Sequence, residues 1–284
     1  MTTKAKTALQ ETIERLFELE GADLPSDAES SFVEFRAMLS KGKVRAAEPG
    51  PHGWVVNTWV KKGILLGFRL GRIEDFSLKK PPIRFFDKHT FPLRDLELED
   101  QVRVVPGGSS IRAGAFVGRG VVCMPPMYVN VGAYVDEGTM IDSHALIGSC
   151  AQVGKRVHVS ATAQIGGVLE PVGAMPVIIE DRVLVGGNCG VYEGTIVKKE
   201  AVLAPGTILT RSTPVYDLVN ETVLRANEDS PLTIPRGAVV VPGSRPARGN
   251  LASREGLHLY APIIVKYRDP GTDAAVALES ALRS

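Results

Sequence analysis

In the stretch MIDSHALIGSC a carboxylate, Asp142, and an imidazole, His144, stand two residues apart. Both groups accept protons, and an imidazole titrates close enough to neutrality to act as a base. A second carboxylate, Glu193, lies in VYEGT. Each also has a structural reading. Asp142 falls where short polar side chains stabilise turns, as Asp136 does six residues earlier; Glu193 suits a turn, and His144 suits packing or hydrogen bonding. Arg103, in VRVVP, is a cation for a carboxylate or a solvated charge at the edge of the fold. Lys198, Lys199, Arg245, Arg248 and Arg254 are cations of the kind that hold phosphates, although exposed Lys and Arg are commonly only solvated. The cysteines, Cys123, Cys150 and Cys189, form no CxxC pair, which argues against a disulfide framework and a zinc knuckle. They read as small core residues; a nucleophilic Cys needs a His partner that spacing does not identify.

The elements that position these groups belong to a chain of 284 residues, 44% hydrophobic and with a net charge of +1. It has enough apolar content for a large core in one or two domains. Balanced charge argues against a nucleic-acid surface. The amphipathic N-terminus lacks the apolar core of a signal peptide, and no run approaches the roughly 18 apolar residues of a membrane span. A cytoplasmic protein is expected.

From Val105 a six-residue frame appears, matching neither helix nor strand periodicity. Its first places are Val105, Ile111, Val117, Cys123, Val129, Val135, Ile141, Ile147, Val153, Val159 and Ile165; it resumes at Ile179, Val185, Val191, Val197, Leu203 and Leu209. The fifth place is usually small or β-branched, as at Ala115, Ala133, Thr139, Ala145 and Ala163. A short strand and a turn every six residues send one aliphatic side chain per repeat to a common axis, and three repeats close a coil. Glycines at 118, 132, 138, 148, 154, 166, 186, 190, 194 and 206 are expected to supply turns of positive φ. Only His144 and His158 lie in the frame, fourteen residues apart at its fourth and sixth places, so a three-nitrogen metal site lacks a ligand.

Before the frame, spacing predicts helices over 5–20, stopped at Gly21; over 27–40, capped by Ser26 with Phe32, Phe35, Arg36 and Leu39 inward; and over WVKKGILLGFRL, capped by Asn57. FSLKKPPIRFFDKHTF reads as an irregular connector with one short strand. After the frame, VYDLVNETVLRA suggests a hairpin, GAVVVPGSRPARGN a strand entering a basic loop, LHLYAPIIVKYRD a strand, and residues 273–284 a closing helix. The expected domains are a helical domain over 1–100, the repeat over 101–211 with an inserted loop near 171–178, and a β-rich cap with its helix over 212–284.

The frame resembles the hexapeptide-repeat left-handed parallel β-helix, and the handedness comes from that likeness alone. MYVNVGAYVDEGTMIDSHALIGSCAQVGKRVHVS, IGGVLEPVGAMPVIIED, WVVNTWVKKGILLGFRL, VRVVPGGSSIRAGAFVGRG, GAVVVPGS and YAPIIVK together resemble the tetrahydrodipicolinate N-succinyltransferases over nearly the whole chain. The resemblance implies a mainly β fold and succinyl transfer from succinyl-CoA, a co-substrate, to the amine of ring-opened tetrahydrodipicolinate in lysine and diaminopimelate synthesis. It implies no tightly bound cofactor and no metal. It also implies a homotrimer with active sites between subunits, the inserted loop reaching a neighbour. Asp142 matches the family's substrate-contacting aspartate, Arg103 its substrate-contacting arginine and Glu193 a family glutamate. Three positions depart: Gly190 stands for a family carboxylate, His144 for an aromatic, and SATAQ for a glycine-rich run. An N-acetyltransferase using acetyl-CoA or a different acceptor, and a noncatalytic assembly module, are the competing readings.

Overall fold

The computed structural model describes residues 3–19, 24–75, 78–79, 82–269 and 271. Gly21 and the expected closing helix over 273–284 lie outside them. Three helices open the chain: α1 (Thr3–Glu18), α2 (Ala28–Ser40) and α3 (Thr58–Leu70). They pack around Ile13, Leu16, Phe32, Phe35, Trp59, Val60 and Ile64, all essentially buried. Two glycines inside α3 make this packing possible. A Cβ at Gly63 would stand 2.5 Å from the Phe35 ring, and one at Gly67 would stand 2.6 Å from Phe91. The helix-propensity cost of each glycine, about 1 kcal/mol, is offset by the aromatic contact it admits.

Both expected caps work differently. Asp27, and not Ser26, holds the N-cap position of α2, and it makes no side-chain capping bond. Asn57 does precede α3, but its Nδ2 donates to the Arg45 carbonyl, 2.8 Å away. The first hundred residues also carry strands. Ala47–Gly50 pairs with Gly53–Val56, Ile73–Asp75 with Phe86–Lys88, and Leu78–Lys79 with Pro82–Ile83, all antiparallel. The connector is therefore a stepped hairpin, more regular than its prolines suggest.

From Arg103 onward the backbone winds into a three-sided prism of two-residue parallel strands. Its faces are one ten-stranded and two six-stranded sheets. We call them the first (through Val122–Cys123 and Met140–Ile141), the second (through Tyr128–Val129 and Leu146–Ile147) and the third (through Tyr134–Val135 and Gln152–Val153). Residues eighteen apart stack in register, as Ile111, Val129, Ile147 and Ile165 do. The frame residues from Ile111 to Leu209 form the buried column, and small fifth-place residues such as Ala115, Ala145 and Ala163 fill its corners. Thr139 is the polar case. Its hydroxyl donates to the Gly154 carbonyl and accepts from the Val157 amide, so burial leaves nothing unpaired.

The frame differs from expectation in three respects. Val105 does not stack: Val104 pairs with Cys123 and is 39% exposed, so the column proper begins at Ile111. After an excursion over 210–232 the column resumes at Ile234 and Val240, six residues apart, which pair with the preceding coil. The glycines divide into two kinds. Gly132, Gly138, Gly194 and Gly206 have positive φ, a conformation shared at the fourth place by His144, Cys150 and Arg156. Gly118, Gly148, Gly154, Gly166, Gly186 and Gly190 do not; the first five admit the next coil, a Cβ at Gly118 lying 2.9 Å from the Glu137 nitrogen, and Gly190 admits the Tyr192 ring.

Beyond Val240 the first sheet changes direction. Ala238–Val241 pairs antiparallel with Ile263–Tyr267, which carries the hairpin Val215–Asp217 and Thr222–Leu224 on its far side. The expected basic loop is a second ribbon, Ser244–Pro246 with His258–Tyr260, closed by α4 (Asn250–Glu255).

Along the edge from third to first sheet runs a charge ladder. Lys155 meets Glu137, Lys198 meets Glu180, Lys199 meets Asp181, and Arg182 and Arg236 share Glu200. Burial raises the Asp181 pKa, but the Lys155 amide and the Lys199 and Arg182 charges outweigh it and leave the carboxyl below its usual range. The hydrogen bonds from Arg182 and Arg236 likewise depress Glu200. A carboxylate depressed in the fold adds stability above its unfolded pKa, about 4, and that stability is lost as pH falls through the folded value. Asp181→Asn with Glu200→Gln is therefore expected to flatten the fall of Tm between about pH 5 and pH 3, measured by scanning calorimetry. In the column, Ile147→Ala is expected to cost about 3 kcal/mol in urea unfolding.

Candidate active site

The three outer faces of the prism differ in what covers them. The helical region and its hairpin occupy the third face. Arg45 lies over the Tyr134 ring at 3.7 Å and donates to Gln152 Oε1 at 3.0 Å, while Trp54 Nε1 donates to Glu180 Oε1 at 3.1 Å. The second face carries Ser110, Tyr128, Leu146, Gln164, Gly190 and Ile208 outward, one per rung. Three cavities follow that column. One of about 530 Å³ holds Phe91, Arg112, Ser110 and Tyr128. The next, about 260 Å³, shares Ser110 and Tyr128 and adds His144 and Leu146. The largest, about 970 Å³, shares Leu146 and extends past Gly166, Tyr192, Glu193 and Arg211. Shared walls join them into one groove along the prism, from Ser110 past Leu146 to Thr210 and Arg211, beside a column of strands that spans five rungs or about 24 Å.

Asp142 stands at the edge between first and second sheets. Its Oδ1 accepts the Ser143 amide at 2.7 Å, which fixes the carboxylate, and its Oδ2 lies 4.0 Å from His158 Nε2. The expected imidazole partner was His144. That residue occupies the exposed fourth place of the same turn, its amide donating to the Pro126 carbonyl, and its ring lines the groove. His158, 7% exposed, comes from the strand one coil above, where it stacks on Met140. The signal was present in the eighteen-residue coil: position 158 must stand over position 140, two residues before Asp142.

The other candidates scatter along the prism. Arg103 lies exposed in the same sheet, three rungs below the His158 strand. Glu193 sits at a different edge, between second and third sheets, where Oε2 accepts the Arg211 amide at 2.9 Å. One chain therefore does not bring Glu193 to Asp142. Lys198 and Lys199 are already paired with Glu180 and Asp181 in the charge ladder. Arg245 lies in the ribbon that reaches the end of the second face, where the Ile208 amide donates to Tyr260 Oη at 2.7 Å. Arg248 is exposed beyond it, and Arg254 pairs with Glu255. Burial pushes the Cys123 and Cys150 thiols up to about 12 and raises that of Cys189, so none offers a ready thiolate.

Two of the three unusual sequence positions meet on the second face. Gln164, from SATAQ, is the direct rung partner of Gly190. The Tyr192 ring lies over that glycine, and a Cβ there would come within 2.8 Å of its hydroxyl. Gly166 serves the same ring from one coil below, at 2.7 Å from Cδ1.

The inserted loop forms one wall of the largest cavity through Glu170, Pro171 and Met175. It folds onto its own chain. Lys61 of α3, fully buried, donates to the Ala174 carbonyl at 2.5 Å, and Met175 packs beside Ala47 and Ile178. Burial lowers the Lys61 pKa, the expected effect of removing an ammonium from water.

Comparison with known proteins follows this geometry. Residues 8–70 match the family model described as tetrahydrodipicolinate N-succinyltransferase N-terminal, and residues 176–211 match the hexapeptide repeat of succinyl-transferase. With the second match, the prism is the left-handed parallel β-helix of that repeat. The 2,3,4,5-tetrahydropyridine-2,6-dicarboxylate N-succinyltransferase of Bordetella petrii is 42% identical over 100% of both chains. Its namesake from Idiomarina loihiensis is 43% identical over 87% of this chain and 86% of the relative. That of Aromatoleum aromaticum is 44% identical over 97% and 98%. One solved structure, from Campylobacter jejuni, overlaps with a TM-score of 0.44 at 15% identity over 87% of this chain and 64% of that one, a likeness too loose to decide anything.

Lys61→Met removes the donor that pins the inserted loop. Limited proteolysis is expected to cut within 167–177 faster in this variant, with a loss of about 1–3 kcal/mol in stability. Equal cleavage rates would show that the loop is held elsewhere.

Proposed function

The chain belongs to the tetrahydrodipicolinate N-succinyltransferase family, and we propose from that premise that its second-face groove transfers the succinyl group of succinyl-CoA to ring-opened tetrahydrodipicolinate. The protein is thus an acyltransferase of diaminopimelate and lysine synthesis, with succinyl-CoA as co-substrate. The observation that carries the site is Asp142, held by the Ser143 amide and facing His158, in the turn whose His144 lines the groove.

In the proposed sequence, water adds to the cyclic imine and the ring opens to a free amine and a ketone. The amine nitrogen attacks the thioester carbonyl, a tetrahedral intermediate forms, and its C–S bond breaks. Asp142 takes the amine proton, with His158 sharing it, and the departing thiolate of CoA is reprotonated. Arg103 supplies charge to a substrate carboxylate. The groove is long and open enough for an extended thioester, and Arg245 and Arg248 flank the end where the phosphates of CoA would lie. Lys198 and Lys199, engaged in the ladder, are poorer candidates for those phosphates.

A site that uses both Asp142 and Glu193 takes them from two copies of the chain, because they stand on different edges. The first face supports such an assembly. Its outward residues Val122 and Met140 on one side of His158, and Leu184 on the other, are half-buried apolar groups of the kind that pack against a second copy. We infer a homotrimer with the groove closed by a neighbour, working in the cytoplasm; no helix among the described residues is long and apolar enough to cross a membrane.

The relatives' names favour succinyl over acetyl transfer and a catalyst over an assembly module. The direct test supplies tetrahydrodipicolinate with either succinyl-CoA or acetyl-CoA and follows free thiol. A higher kcat/KM for the succinyl thioester is expected, and equal values would overturn the donor assignment. Asp142→Asn is expected to keep the oligomer seen by analytical ultracentrifugation and to lose about 10²–10⁴-fold in kcat. An unchanged kcat would make Asp142 structural.

A further inference from the structure

The second face beside the groove is apolar at Leu146 and Ile208, yet polar between them. Gln164 and Tyr192 are both half-buried there, and neither side chain makes a hydrogen bond among the described residues. Their placement is built into the fold. Gln164 points outward from the strand that pairs with Gly190, and only a glycine at 190 allows the Tyr192 ring to swing over that rung, its hydroxyl 2.8 Å from where a Cβ would be. Gly166 clears the other side of the ring. A phenol that lines the largest cavity and a primary amide on the adjoining strand thus stand about one 4.8 Å rung apart.

Their surroundings select what they can bind. The same cavity is bordered by Glu170, Glu193, Glu228 and Asp229, against one guanidinium, Arg211, which donates to the Asn227 carbonyl. A carboxylate or phosphate on this floor would face more acidic than basic neighbours. An uncharged group with its own donor and acceptor would not. A phenol O–H donates to a carbonyl, and a glutamine amide both donates and accepts, so together they complement secondary amides.

We propose that Gln164 and Tyr192 form a neutral hydrogen-bonding station that reads the amide-bearing pantetheine arm of the acyl donor. This rests on the transferase reading above, which supplies a CoA thioester as the ligand. Tyr192 and Gln164 are positioning residues: they align the arm along the prism so that the thioester carbonyl is held for attack.

The test compares two ligands by calorimetry on the intact protein: coenzyme A, and adenosine 3′,5′-bisphosphate, which lacks the arm. Tyr192→Phe keeps the ring over Gly190 and removes only the hydroxyl; Gln164→Met keeps the length and removes the amide. Each is expected to weaken coenzyme A about 5–10-fold, as loss of one hydrogen bond to a neutral group does, with bisphosphate affinity and Tm unchanged. The KM for succinyl-CoA should rise in parallel while that for the acceptor holds. Unchanged coenzyme A affinity in both variants would overturn the proposal. So would an equal loss for both ligands, the mark of a structural role, or wild-type protein binding coenzyme A no tighter than the bisphosphate. The two readings fail separately. Protein that binds coenzyme A through these side chains but releases no thiol with tetrahydrodipicolinate refutes the reaction and keeps the station.

Discussion

Two-residue strands have no stability of their own, and what holds them is the aliphatic column they enclose. Each coil sends three side chains to the axis, and each fully buried Val, Ile or Leu contributes about 1.5–3 kcal/mol relative to exposure. That column dictates the backbone around it. The first place of every six must face inward, the fifth must be small enough to sit in the corner, and the fourth turns through positive φ whether it is Gly138, His144 or Arg156. The position of every polar group on the outside follows from its place in the six. Asp142 is at an edge because it is second in its repeat; His158 and Gln164 point out from a face because they are sixth.

The same rule separates stabilising charge from chemical charge. The edge between third and first sheets stacks opposite charges coil on coil, where Asp181 and Glu200 are satisfied by Lys199, Arg182 and Arg236. Its groups are committed to one another. The second face carries no such ladder, and its side chains, together with the turn that bears Asp142, border open volume. The helical region strengthens this division by covering the third face through Arg45 and Trp54, while Val56 and Phe91 bring it to the border of the groove.

Much of this was legible in the residues. The six-residue frame located nearly every strand of the prism, and the helical faces of α2 and α3 were visible in their apolar spacing. What failed did so for identifiable reasons. Ile234 and Val240 belong to the column, but the excursion over 210–232 hides their phase along the chain. The proximity of His158 to Asp142 exists across coils and not along the sequence. The glycines at second places looked like turn formers, whereas their role is to admit a neighbouring coil, which spacing does not reveal. Lys198 and Lys199 appeared free because their acidic partners lie eighteen residues earlier. Gly190 read as a loss; in the fold it is the space Tyr192 occupies.

The antiparallel strand Ile263–Tyr267 has a consequence at a larger scale. A stack of parallel rungs is a template that any further rung extends, another molecule's included. By running the opposite way and carrying its own hairpin, this segment terminates that template, so the rod has a defined end and resists joining into fibres. It also makes the groove a ruler of set length, which is what a protein needs if it is to measure one elongated ligand.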